Sequence, residues 1–242
     1  MCGHAEVTRK RSIIDHLMPH RYASEDARLT DLWLLIQAGH ETTAATFSFF
    51  LMEIARNRSI QEKLRSILAS FMPDRPSLSS SADQIASELA QDDSKLLSTI
   101  ANCEYLSNCL KESMRLWPVA AGGPARDIVE DLHYEGMLFP TGSIICVPFY
   151  SLFRSEWIEN ADQFDPDRWL DSNPQMPQLK EMFIPFSIGK RGCVGQNMAM
   201  FQLRIIAAHF IRYFDFELAQ EPSFEYFLTL KPRSICMKVT SV

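Results

Sequence analysis

One run of residues carries the chemistry most directly: Phe186-Ser187-Ile188-Gly189-Lys190-Arg191-Gly192-Cys193-Val194-Gly195 is a glycine-rich loop that delivers a single cysteine to the expected start of a helix. Free amides and the positive dipole end of a helix favour a thiolate over a thiol. Glycines at 189, 192 and 195 permit tight turns and the close approach of a flat ligand. Arg191 is spaced to pair with an anionic edge of such a ligand, and Phe186 to shield the sulfur from water. A lone cysteine in an apolar chain is more often a small buried hydrophobe, and Cys2, Cys103, Cys109, Cys146 and Cys236 are read that way.

Three further groups stand out. Ala38-Gly39-His40-Glu41-Thr42-Thr43 puts a glycine, a carboxylate and two hydroxyls in mid-run of an apolar segment. Taken alone, such threonines usually bond back to the preceding turn. His40-Glu41 also opens like the zinc motif HExxH, but Ala44 stands where the second histidine would be. Glu112 and Arg115 are an i,i+3 pair on one helix face, a spacing that is common on solvated helices. Phe164-Asp165-Pro166-Asp167-Arg168-Trp169 supplies another arginine downstream.

The elements that must position these groups follow from periodicity and breakers. Thr30 and Asp31 are placed to cap a strongly apolar, proline-free segment, read as one long buried helix over about 25–56. A second helix spans about Ile60 to Ser70 and ends at Met72-Pro73; the serine-rich acidic stretch that follows, to Leu97, reads as a surface excursion. Leu106, Leu110, Met114 and Trp117 mark a helix over about 102–117, stopped by Pro118. From Arg126 to Leu152 alternation, β-branched residues and the turn signals Glu135-Gly136 and Pro140-Thr141-Gly142 predict a small antiparallel sheet. A helix over about 194–213 and short strands from Phe214 complete a mainly α chain with a minor antiparallel β-sheet, read as a single partial domain over 1–242.

Composition bounds the function. With 46% hydrophobic and 22% charged residues among 242, the chain can bury a core. A formal net charge of −6, with no basic stripe, argues against a nucleic-acid partner. Six cysteines without a CxxC pair suggest neither a disulfide framework nor a zinc knuckle, and a reducing compartment is expected. The first residues show no signal peptide, and no apolar run is long enough to cross a bilayer, so the chain as given reads as soluble.

These motifs, in this order, resemble those of the cytochrome P450 family. The loop matches its FxxGxRxCxG pattern at every fixed position, Ala38–Thr43 its distal oxygen-binding signature, Glu112-Ser113-Met114-Arg115 its ExxR motif, and Phe164–Trp169 its PERF-type region. The resemblance implies heme (iron protoporphyrin IX) with Cys193 as axial thiolate. It also implies Arg191 and Arg126 on the propionates, and Phe186, Gly189, Gly195 and Gly39 as further heme-contacting positions. The electron push of a heme thiolate toward O–O cleavage is a property of such centres in general. Thr42 would lie beside dioxygen and Glu41 would serve a water-linked proton relay. Glu112, Arg115 and Arg168 would form a buried structural triad. Phe153-Arg154 departs from the family's His-Arg pair, so no role transfers there, and Lys190 would face a redox partner.

The implied activity is insertion of one oxygen atom of dioxygen into a small, lipophilic organic substrate, with a flavin-containing reductase as electron donor. The motifs look most like those of membrane-associated eukaryotic members, anchored in the endoplasmic reticulum and facing the cytosol. Members run to about double this length, so the resemblance covers the carboxy-terminal, heme-binding half. An alternative expectation is a noncatalytic heme-binding fragment without the amino-terminal half. A third, isomerisation or dehydration of an oxygenated substrate, is disfavoured by the intact Glu41-Thr42 pair.

Overall fold

The structure, a computed structural model, describes residues 22–74 and 94–242. The amino-terminal stretch read above for a leader, and most of the serine-rich excursion, lie outside them. The chain divides into two units, Met1–Glu41 and Thr42–Val242.

Residues 22–41 of the first unit contain the leading part of helix α1 (Glu25–Arg56). The helix starts at the expected residue 25, but its cap is Ser24 and not Thr30 or Asp31. The Ser24 Oγ accepts from the Ala27 amide at 3.2 Å, and Glu25 and Asp26 occupy the first turn, where the helix dipole favours carboxylates. Thr30 instead lies inside the helix and donates to Asp26 O at 2.8 Å. The expectation of burial along the whole helix is also corrected. Trp33, Leu34 and Ile36 are exposed, and the buried residues run from Ala45 to Ile54. Apolar composition reports what a face is able to bury; the described packing partners meet residues 45–54.

In the second unit Asn57 breaks the helix with φ −116° and caps α1 through its side-chain amide, which donates to Glu53 O at 2.8 Å. Helix α2 (Arg58–Ala69) then buries Gln61, Leu64 and Leu68, one stripe at helical spacing. Part of the expected excursion is helical: α3 (Ser94–Ala101) buries Ile100. Helix α4 (Glu104–Leu116) is enclosed along most of its length, and α7 (Gln196–Tyr213) presents Leu203, Ala207 and Ile211 on one face. These helices and the second half of α1 share a core of Phe50, Ile54, Leu64, Leu110, Leu203 and Phe216.

The expected sheet is two separate antiparallel ladders. Strand β1 (Ala125–Asp127) pairs with β4 (Ile144–Cys146) and β2 (Leu132–Tyr134) with β3 (Met137–Phe139). Glu135 and Gly136 both adopt positive φ, the condition for a two-residue hairpin turn whose twist suits the strands. Beyond Pro148 the chain turns helical as α5 (Phe149–Leu152), where a strand was expected. A 3₁₀ turn (Pro166–Trp169) and α6 (Met176–Met182) lead to the cysteine loop, and two further hairpin-like ladders, β5 (Phe214–Leu218) with β8 (Met237–Ser241) and β6 (Ser223–Tyr226) with β7 (Leu230–Ser234), close the chain.

Candidate functional site

The cysteine loop is built backward from α7. Gly195 takes the cap position of that helix, Gln196 donates to Cys193 O at 3.4 Å, and the Cys193 amide donates to Phe186 O at 2.8 Å, pinching the loop shut. Between them Ser187 (φ 58°) and Gly189 (φ 71°) make the left-handed bend, and Gly189–Arg191 forms a 3₁₀ turn. Gly189 needs its lack of a Cβ for that conformation. Cys193 itself is exposed on this loop.

A cavity of about 330 Å³ gathers the chemistry of the second unit. Cys193, Arg191 and Phe186 reach it from the loop, Thr42 and Thr43 from α1, and Leu203 from α7. Met114, Pro118, Val119 and Ala120 form another wall at the end of α4. The lining is thus mostly apolar, with one thiol, one guanidinium and a few hydroxyls. That donor set suits a flat apolar ring with an anionic edge and a soft-ligand metal. Gly189 and Gly195 shape the loop without lining the cavity, and Arg126, in β1, is exposed and donates to Ala125 O at 2.8 Å. In the first unit, Gly39 and Glu41 lie on α1, and a Cβ added to Gly39 would meet nothing within 4 Å.

The carboxylate of Glu112 is fully enclosed near this wall. It receives Arg115 Nε at 3.0 Å and Nη2 at 2.8 Å, Arg168 Nε at 3.2 Å, Trp169 Nε1 at 2.9 Å and the Asp165 amide at 3.1 Å. Two arginines against one carboxylate leave an excess positive charge, and inward-turned carbonyls meet it. Arg115 donates to the carbonyls of Phe153, Ala161 and Gln163, and Arg168 to those of Glu159 and Asn160. The cluster therefore pins the 153–169 segment to α4, next to the cavity wall. Sequence reasoning brought the three charged residues together; it missed Trp169, whose indole N–H makes this aromatic more than core.

Also missed was a buried pair behind the wall. Glu53 on α1 accepts the Trp117 indole N–H at 2.8 Å, and Arg56 lies 3.3 Å away. Burial pushes the Glu53 carboxyl above its usual range, with the Trp117 and Arg56 interactions opposing that. The sequence signal was Trp117-Pro118 at a helix end, with nothing to point to a partner 64 residues away.

Fold and site together define a mainly helical protein in which a loop cysteine and a helix threonine face one apolar cavity. The sequence model described as cytochrome P450 matches residues 5–239. The chain belongs to the cytochrome P450 family. It is 31% identical over 76% of its length to the probable mitochondrial cytochrome P450 12a5 of Drosophila melanogaster, covering 33% of that protein. To the benzoate 4-monooxygenase bphA of Aspergillus niger it is 32% identical over 78% of its length, covering 34%. Its fold is similar to a crystal structure of a cytochrome P450 (CYP102L1), with a TM-score of 0.78, 22% identity, 98% of this chain covered and 52% of that one. The chain thus spans about a third of the length of the curated relatives it matches.

Proposed function

We propose that this chain is the heme-carrying part of a monooxygenase, with Cys193 as the thiolate that would hold the iron. The observation that carries the reading is that Cys193, Arg191, Phe186 and Thr42, drawn from two separated motifs, line one cavity. Heme bound there supplies the iron that activates dioxygen, so that one oxygen atom enters an organic substrate while two electrons arrive from a reductase.

The residues would act as follows. The Cys193 Sγ would hold the iron, the Arg191 guanidinium at the cavity, and that of Arg126 from β1, would pair with carboxylates at the ring edge, and Phe186 would keep water from the sulfur. Thr42 Oγ1 offers a hydrogen bond at the cavity wall, and Glu41, one residue earlier, passes protons from solvent. Glu112, Arg115 and Arg168 touch no reactant and hold α4 in place. The apolar lining favours a lipophilic organic substrate, and a flavin-containing reductase is the donor proposed. The compartment proposed is the endoplasmic-reticulum membrane, facing the cytosol. Among the described residues no helix is long and apolar enough to cross a membrane.

The test is the carbon monoxide difference spectrum of the heme-loaded, dithionite-reduced chain. A red-shifted band of the thiolate type is expected, and it should vanish in Cys193→Ser. A histidine-type band, or no heme uptake, overturns the reading. Arg191→Ala should release heme faster, and Thr42→Ala should uncouple oxygen consumption from product in any turnover assay.

A further inference from the structure

We propose that Glu53 is a positioning residue that sets the cavity wall through Trp117. This deepens the heme reading above and, for its bearing on heme, rests on it. The wall begins where α4 ends. Trp117 takes the non-helical cap position (φ −129°, ψ 65°), Pro118 prevents the helix from continuing, and Val119 and Ala120 follow at once as lining residues. Whatever fixes the Trp117 ring therefore fixes the exit direction of the wall.

Four contacts bear on it, one of them the Arg154 guanidinium over the ring at 5.5 Å from its centroid. Phe49 stacks on the indole with centroids 5.2 Å apart, and Phe224 packs against it at 4.7 Å, but apolar stacking alone lets a ring slide in its plane. The directional contact is the indole N–H to Glu53 Oε1 at 2.8 Å. Glu53 is in turn anchored: its side chain is 6% exposed, and Arg56 approaches the same oxygen. Beyond Trp117 the wall is latched by single backbone bonds, Leu230 N–H to Val119 O at 2.7 Å and Tyr150 N–H to Ala121 O at 3.0 Å from other elements and Gly123 N–H to Ala120 O at 2.8 Å within its own turn. These latches can hold only if Trp117 delivers the segment in register.

The test follows the wall directly, by amide and indole hydrogen exchange in the full chain. Glu53→Leu should speed exchange at the Trp117 indole and at the amides of Leu230, Gly123 and Tyr150 by about tenfold, while amides inside α4 stay protected. Glu53→Gln, which keeps an acceptor oxygen, should restore wild-type protection; a Gln variant as loose as the Leu variant overturns the proposal, as does unchanged exchange in the Leu variant. Should Glu53→Leu loosen the whole chain, Trp117→Phe decides: it removes the same bond from the other side and keeps a ring between Phe49 and Phe224. Local loss of the three latches supports the proposal; retained latches refute it. Hemin titration supplies the second arm, with an affinity loss of about fivefold expected in Glu53→Leu and none in Glu53→Gln. If the wild-type chain binds no hemin while exchange behaves as stated, the heme reading fails and the Glu53–Trp117 assignment stands.

Discussion

Glu112 has no exposed side-chain surface, so its charge is stable only because five N–H groups converge on it. Removing that carboxylate strands two buried guanidiniums, and loss of one partner from such a group costs roughly 3–5 kcal/mol. Glu112→Ala should therefore lower the free energy of urea unfolding by that amount and abolish stable heme uptake, whereas Trp169→Phe, which deletes one indole donor to the same carboxylate, should cost about 1.5–3 kcal/mol. Equal effects of the two substitutions would show that the cluster is held by packing and not by charge. The charged members were legible only through the order of motifs that the family resemblance supplies, because the Glu112–Arg115 spacing by itself is common on solvated helices. Trp169 and Glu53 were not: a tryptophan reads as core whether or not its N–H is used, and a glutamate inside an apolar helix reads as a solvated residue until its partner is known.

Element boundaries were legible where a breaker acts and lost where two good signals compete. Asn57 and Pro118 end helices as their chemistry requires, and the Glu135-Gly136 turn forms where it was read. Ser24, Thr30 and Asp31 are all competent caps, and the Ser24 hydroxyl is the one that accepts a first-turn amide, so the helix begins at the expected residue 25 with a different cap from the one expected. The connection from α4 to β1 shows how tightly an element joint can be specified. Gly123 has φ 64°, and an added Cβ would overlap Val147 O. Gly123→Ala should cost at least about 1–2 kcal/mol from the backbone conformation alone, and more from the displaced carbonyl. Thermal melts should show the loss together with weaker hemin binding, since Gly123 lines the cavity. Gly142 is the control: it too has positive φ, at 85°, but open space around its Cβ position, so Gly142→Ala should cost only the conformational part.

Across the second unit, charge ties the layers together in a way that sets how the molecule responds to acid. Asp215 on β5 receives Arg65 Nη2 at 2.8 Å and pairs with Arg58, both from α2. Burial pushes the Asp215 carboxyl up, but the hydrogen bonds from Arg58 and Arg65 outweigh it, and its pKa lies below the ordinary aspartate value. A depressed carboxylate contributes stability that is present above its unfolded pKa, about 3.9, and is lost as pH falls through the lower folded value. Glu53 has the opposite sign. Its raised pKa contributes stability that is complete below the unfolded value, about 4.3, and disappears as pH rises through the folded one. Unfolding free energy should therefore fall on the acid side through Asp215 while Glu53 opposes that fall. Asp215→Asn should flatten the acid limb of a urea-midpoint profile taken from pH 7 to pH 2, and Glu53→Gln should steepen it. An acid limb unchanged by Asp215→Asn would mean that the Asp215 ion pairs carry no stability and that α2 is held to β5 by uncharged contacts, such as the two Gln61–Phe216 hydrogen bonds, and by Leu64 and Leu68.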